Sequence, residues 1–482
     1  MQFKDYKFGY ADADKEYVRL LNYFDIVFYD PLNNLDKLLN DFPFIVVGRK
    51  GIGKSAYCAK IRAIDNENIC TTYLPLNEFE YSTFEKTSSD KNITGTQKFK
   101  HSWNFVLLCL ICKTLYCDLK IVENEGLNEI VEILNKLGFS ISFNYKQFVN
   151  SLSKIKAGVN LKHFDLSFEK QFGEKPNTFV DRITSLNDYI ISKFDEVYLA
   201  DKKVYLLLDG VDDVLRFKKN RIEILNSLVR SIDYLNNLFV QKDFGIKIII
   251  FIRDEIFTLL NDTDMNKIKQ DSSIFINWNE DSINFQEIIK LRLIYSGIDE
   301  KAVKKHLKKM FPNEIQNKKF WDYLLEYTLY KPRDVIQFFK CCQELYGNNS
   351  TLSYSEVKKV IKYYSSKYFI DEMKNSLSGF VKDELITIIP AVFTKISTKS
   401  FTVNDFTEKM NNQIADGDFS ISESRTILFT LYELGYIGQV FTSGKSNKTS
   451  VQFKYRNPTS TVDYNNRFII HRGITIGLGV RM

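Results

Sequence analysis

The chain has 482 residues, too many for one ordinary hydrophobic core, and that length predicts two or three domains. A composition of 44% hydrophobic, 26% charged and 14% aromatic residues excludes a disordered or fibrous chain. The formal net charge of +6 is too small to make the whole molecule a binder of polyanions, so any such attraction must come from local clusters.

Along the chain, residues 1–42 read as a helical lead-in that lacks an apolar leader, and no later segment offers about 18 uncharged apolar residues in a row. The expectation is a cytoplasmic protein with no membrane partner. FIVVGRKGIGKSAYCAKI then runs as an apolar strand, a glycine-bearing loop and an amphipathic helix. NICTTYLPL predicts a second strand and HSWNFVLLCLICKTLY a buried helix. Its Cys109 and Cys112 have the spacing of half a zinc site but no second ligand pair, which favours core packing.

Residues 118–200 read as a helical insert. The pattern of strands resumes with KVYLLLDGVDDV, continues through a helix to KIIIFIRDEIF, and reaches a predicted edge strand at SIFINW. Strands that are apolar on both faces and alternate with helices predict an α/β fold, a parallel sheet sandwiched by helices. These elements make 43–280 the expected core. Residues 281–365 read as a helical lid, and 370–482 as three helices followed by two strands around the turn SGKSNK, the order of a winged helix.

The loop Gly48, Arg49, Lys50, Gly51, Ile52, Gly53, Lys54, Ser55 fulfils the G-x-x-x-x-G-K-[ST] pattern between a strand and a helix. Glycines let backbone N–H groups converge on phosphates, and the helix start adds its positive end. The expected ligand is therefore a nucleoside triphosphate with Mg²⁺, held by residues 48–55 and Ala56. Lys54 would act as a point charge on the phosphates, and Ser55 and Asp209 as the metal's protein oxygens. The acid commonly found after that aspartate is replaced by Gly210. Asp212 or Asp213 would then position the attacking water, unless both merely cap the next helix. Arg253, just past KIIIFI, would meet the charge of the transition state, unless it pairs with Asp254 or Glu255.

In chain order, VVGRKGIGKSA, LLLDGVDD, IIIFIRDEIF, INWNEDSINFQEIIKLRL and KPRDVIQFF resemble bacterial P-loop ATPases at the border of the AAA+ and STAND groups. The resemblance spans about residues 5–345 and, more weakly, the tail. It implies that the nucleotide is ATP, that Arg333 reaches the γ-phosphate from the lid, that Arg292 is a second family arginine, and that the tail is a winged helix. It also implies a nucleotide-gated switch of a kind whose relatives occur in antiviral defence, while Gly210 and the long insert set this chain apart from ring-forming relatives and leave a homo-oligomer as an open expectation. Two other roles stay open. Basic clusters at Arg216, Lys218, Lys219, Arg221 and at Lys301, Lys304, Lys305, Lys308, Lys309 would suit DNA. The insert and the aromatic tail would suit a co-encoded effector protein.

Overall fold

The computed structural model describes the chain except for residues 21, 65, 67, 89–98, 120, 122–123, 140–150, 154–155, 157–177, 198, 200–201, 212–220, 261–264, 280–283, 397, 415–418, 443–448 and 481–482. It forms two compact units. One consists of Met1–Leu32, Gly48–Ala59 and Ile276–Met482, the other of Asn33–Val47 and Lys60–Phe275.

The second unit holds a five-stranded sheet of order β2-β3-β4-β1-β5, with β1 Ile45–Val47, β2 Ile69–Pro75, β3 Lys203–Asp209, β4 Ile246–Ile252 and β5 Ser273–Phe275. Every pairing is parallel, and β5 is the edge strand that SIFINW predicts. Val204–Leu208 and Ile248–Ile252 are buried at each successive position. Side chains alternate between faces along a strand, so both faces of the sheet are covered, as a parallel sheet requires.

The covering helices follow the apolar runs. Among them are α1 Lys100–Lys113, buried at almost every position, α2 Phe179–Phe194 and α3 Arg221–Gln241. Trp103 on α1 donates its indole N–H to the Ile224 carbonyl of α3 at 3.1 Å. Asn236 of α3 exchanges two hydrogen bonds with the backbone of Ile248, so this buried amide beside β4 is satisfied. Cys109 and Cys112 are buried in this core, and burial pushes both thiols up.

The lead-in of the first unit contains α4 Ala13–Arg19 and α5 Tyr23–Val27, and the loop helix is α6 Lys54–Ala63. Over its described residues, the region from 284 to 377 is helical apart from a short hairpin of two two-residue strands, β6 Glu314–Ile315 with β7 Lys318–Lys319. Its helices include α7 Phe285–Tyr295, α8 Glu300–Lys309, α9 Pro332–Tyr346, α10 Tyr354–Tyr364 and α11 Ile370–Leu377. Phe311 and Phe320 stack with ring centroids 4.2 Å apart in its core.

The tail forms α12 Asp383–Lys395, α13 Val403–Asn411 and α14 Ile421–Glu433, then β8 Ile437–Thr442 and β9 Thr449–Gln452. Here the sequence reading is incomplete. A third strand, β10 Arg467–Ile470, pairs with the other side of β8, and a last helix, α15 Arg472–Leu478, follows it. RFII is too short a run to separate from loop by periodicity alone. The turn SGKSNK lies outside the described residues. No described helix is long and apolar enough to cross a membrane.

Candidate functional site

The residues from Gly48 to Ala56 form a tight loop that turns into α6. Ile52 N–H donates to the Arg49 carbonyl at 3.2 Å, and Ala56 and Tyr57 N–H both donate to the Gly53 carbonyl. Gly51 and Gly53 take φ of +80° and +117°, a region that side chains resist, so two of the three motif glycines are conformational requirements. Trp278 clamps the loop from outside by donating its indole N–H to the Ile52 carbonyl at 2.9 Å.

Lys54 is buried, and its Nζ donates to the carbonyls of Gly48 at 2.7 Å and Arg49 at 3.3 Å. The ammonium is therefore held at the loop itself, over the first helical turn. Arg333 approaches from α9, where a methyl group built on Gly51 would meet its Cβ and Cδ at 3.4 Å. Pro332 fixes the first turn of α9. Asp334 is buried and accepts the Leu329 N–H at 2.8 Å and the Tyr368 hydroxyl at 3.2 Å, so the KPRD turn is braced where Arg333 departs. Burial raises the Asp334 carboxyl, against the pull of Lys331.

The lead-in supplies a wall that sequence reasoning missed. Tyr10 to Ala13 and Glu16 join Gly51, Gly53, Lys54, Ser55, Arg292 and Arg333 around one pocket. Glu16 and Arg292 are both buried. Glu16 accepts the Tyr10 N–H at 2.9 Å and lies 3.9 Å from the Arg292 guanidinium. Arg292 donates to the carbonyls of Phe8 and Ile288. Burial raises the Glu16 carboxyl, and Arg292 opposes that rise. Gly9 cannot be replaced here, because a Cβ would fall 2.0 Å from Glu16 Oε1 at a φ of +84°.

A second, apolar pocket adjoins the first and shares Gly53, Ala56, Arg292 and Pro332 with it. Its other walls include Phe24, Phe28, Tyr29, Tyr57 and Trp278. The alternation YFDIVFY was the available signal for this aromatic wall, but it reads equally well as helix packing.

In the other unit, Leu208 and Ile45 both align on Ile250. Asp209 and Val47 therefore leave the sheet at the same carboxyl-terminal edge, and the chain runs from Val47 directly into Gly48. Asp209 accepts the Gly210 N–H at 2.7 Å. Gly210 has a φ of +84°, and a Cβ there would stand 3.2 Å from the Asn77 N–H, which explains physically why no glutamate follows the aspartate. Arg253 precedes the six-residue helix Asp254–Leu259. Burial, and then the charge of Asp254, push the neighbouring Glu255 carboxyl up, while Arg253 pulls it down. Asp212 and Asp213 lie outside the described residues, as do Arg216, Lys218 and Lys219.

Residues 284–371 match the FunZ-associated C-terminal helical domain. This match covers the helices from α7 to the start of α11. The fold is similar to the Aeropyrum pernix Orc1 protein in complex with DNA, at 8% identity and a TM-score of 0.40, with 96% of each chain covered. It is also similar to a Walker-type ATPase of Pyrococcus abyssi, at 10% identity and a TM-score of 0.33, with 89% of this chain and 95% of that one covered. A search of the curated proteins finds no match.

Among the described residues no cluster of three or more His, Cys, Asp or Glu side chains could hold a metal on its own. Ser55 and Asp209 are hard oxygen donors of the kind Mg²⁺ takes in ones and twos beside phosphate oxygens. Each of the two side chains, taken by itself, has donor chemistry that suits this ion.

Proposed function

We propose that this chain binds and hydrolyses ATP and uses the exchange as a conformational switch. The observation that carries the reading is the pair of adjoining pockets in the loop unit, one polar and one aromatic. A nucleotide has the same two-sided chemistry, an anionic tail and a flat apolar base. In this reading the amides of residues 48–56 and the start of α6 receive the phosphates. Lys54 swings from the Gly48 carbonyl onto the β and γ oxygens, and Arg333 meets the terminal phosphate from α9. Trp278, Tyr29 and Phe28 flank the base.

Ser55 and Asp209 would hold Mg²⁺, whose charge offsets that of the phosphate oxygens. Arg253 would meet charge developing at the terminal phosphate, and Asp212 or Asp213 would orient the attacking water. The lid boundaries at 281–365, the winged-helix reading of the tail, a homo-oligomer, an effector partner and a role in antiviral defence belong to the same proposal. The testing experiment is Mg²⁺-dependent ATP hydrolysis by the full chain beside its Lys54→Ala form. Equal rates in the two would overturn it.

DNA contact is a second reading, favoured by one observation. Lys301, Lys304, Lys305, Lys308 and Lys309 are all exposed on α8, while Val303 and Leu307 hold the helix down. Affinity that falls steeply as salt is raised would support phosphate contact. Weak binding that is indifferent to salt would remove it.

A further inference from the structure

The loop carries two cations that the G-x-x-x-x-G-K-[ST] pattern does not demand, Arg49 and Lys50, and both point into the C-terminal half of their own unit. Arg49 donates to the Leu329 carbonyl at 3.2 Å and lies 5.6 Å over the Tyr455 ring. Lys50 reaches Glu372 on α11, with Nζ 3.3 Å from Oε1 and 3.4 Å from Oε2. Arg333 of α9 reaches the same carboxylate, at 3.6 Å from Oε1. The Glu372 side chain is only 11% exposed. An acid so enclosed is costly unless cations face it, and here two of them do.

We propose that Glu372 competes with the terminal phosphate of a nucleoside triphosphate for Arg333 and Lys50, so that triphosphate binding releases α11 from the loop. This inference rests on the nucleotide reading above and deepens it. It adds a discriminator between triphosphate and diphosphate that the loop motif does not contain.

Three features support the competition. First, Arg333 lines the phosphate pocket beside Gly51, Gly53, Lys54 and Ser55, so one guanidinium is within reach of both anions. Second, the hold of Glu372 is loose. Its contacts run from 3.3 to 3.6 Å, longer than the 2.7–2.9 Å of a well-made charged hydrogen bond. Among the described residues no hydrogen bond reaches Glu372 Oε1. A phosphate offering three oxygens to a planar guanidinium is the better partner.

Third, α11 is mechanically connected. Ser376, one turn beyond Glu372, meets the hydroxyl of buried Tyr436 at 3.3 Å, and Tyr436 immediately precedes β8. A shift of α11 therefore reaches the base of the three-stranded sheet, and differential contact of this kind is what lets a ligand move a two-state equilibrium. Because Glu372 acts through Arg333 and Lys50, it is a positioning residue.

The test is equilibrium binding of a non-hydrolysable ATP analogue with Mg²⁺, and of ADP, to the full chain and its Glu372→Gln form. The expected result is analogue binding about tenfold tighter in E372Q, the scale of an ordinary coupling. ADP affinity should change less than twofold, and the gain should be at least halved in an Arg333→Ala background. The unsubstituted chain supplies an independent readout, since amide hydrogens of residues 370–377 should exchange faster under saturating analogue than under ADP. Nucleotide binding with equal affinity in E372Q, or exchange at 370–377 indifferent to the nucleotide, would overturn the inference and leave the nucleotide reading standing. Failure of every form to bind either nucleotide would overturn the nucleotide reading and this inference with it.

Discussion

The sheet of one unit and the loop region of the other bury their residues for different ends. At the buried positions of β3 and β4 the side chains are Val, Leu, Ile, Tyr and Phe, and the buried amide of Asn236 beside β4 is bonded in both directions. In the loop unit Lys54, Glu16, Arg292, Lys331 and Asp334 are all buried, and the contacts described above for Lys54, Glu16, Arg292 and Asp334 run largely to backbone groups. Apolar burial supplies stability without direction. Buried charge contributes little net stability, but it fixes where a cation or carboxylate stands. The comparison teaches that one unit is built chiefly to persist and the other to present charge.

Substitutions in the two regions should therefore separate stability from activity. The largest expected effect is in the sheet. Ile249→Ala, at a position with no exposure, should lower unfolding stability by about 2–5 kcal/mol. Urea titration measures it, and nucleotide affinity of the molecules that remain folded should be unchanged. Next is Lys54→Ala, which should reduce the ATPase rate on the order of 100-fold to 1000-fold while its thermal midpoint stays near that of the parent chain. A large drop in both properties would erase the contrast.

The third effect depends on pH. His471 is buried, accepts the Gly473 N–H at 3.0 Å, and has its other ring nitrogen 3.1 Å from the Tyr455 hydroxyl. Burial, with Arg456 adding, holds its pKa down at about 3. Its unfolded value is about 6.5, so below that pH the unfolded ring takes up a proton that the folded ring refuses. This contribution is complete above about pH 6.5 and is lost as pH falls toward 3, amounting to about 2 kcal/mol between pH 6.5 and 5. Urea midpoints across that window should follow this slope, and His471→Gln should flatten it.

The smallest effect lies at the surface of the sheet unit. Lys136 and Glu132 form a 2.7 Å pair one helical turn apart, with both side chains more than half exposed. Its removal by Lys136→Ala should change stability by less than about 0.5 kcal/mol.

Much of the architecture is written locally. The apolar runs VYLLL and KIIIFI allow little but central parallel strands, because both faces must be covered. The loop pattern needs glycine at Gly51 and Gly53 for reasons of backbone alone, so its shape was readable residue by residue. Most helices between 285 and 433 follow from their 3.6-residue periodicity in the same way.

Tertiary structure decided what depends on residues far apart in the chain. No spacing rule joins Glu16 to Arg292, or Glu372 to Lys50, across some 280 and 320 positions. The walls around the loop, the latch on Arg333 and the third strand of the tail sheet all come from such pairings. Their physical reason is common to them. A buried charge must find its counter-charge wherever folding brings one within a few ångströms, and a short strand is fixed only by the neighbour it pairs with.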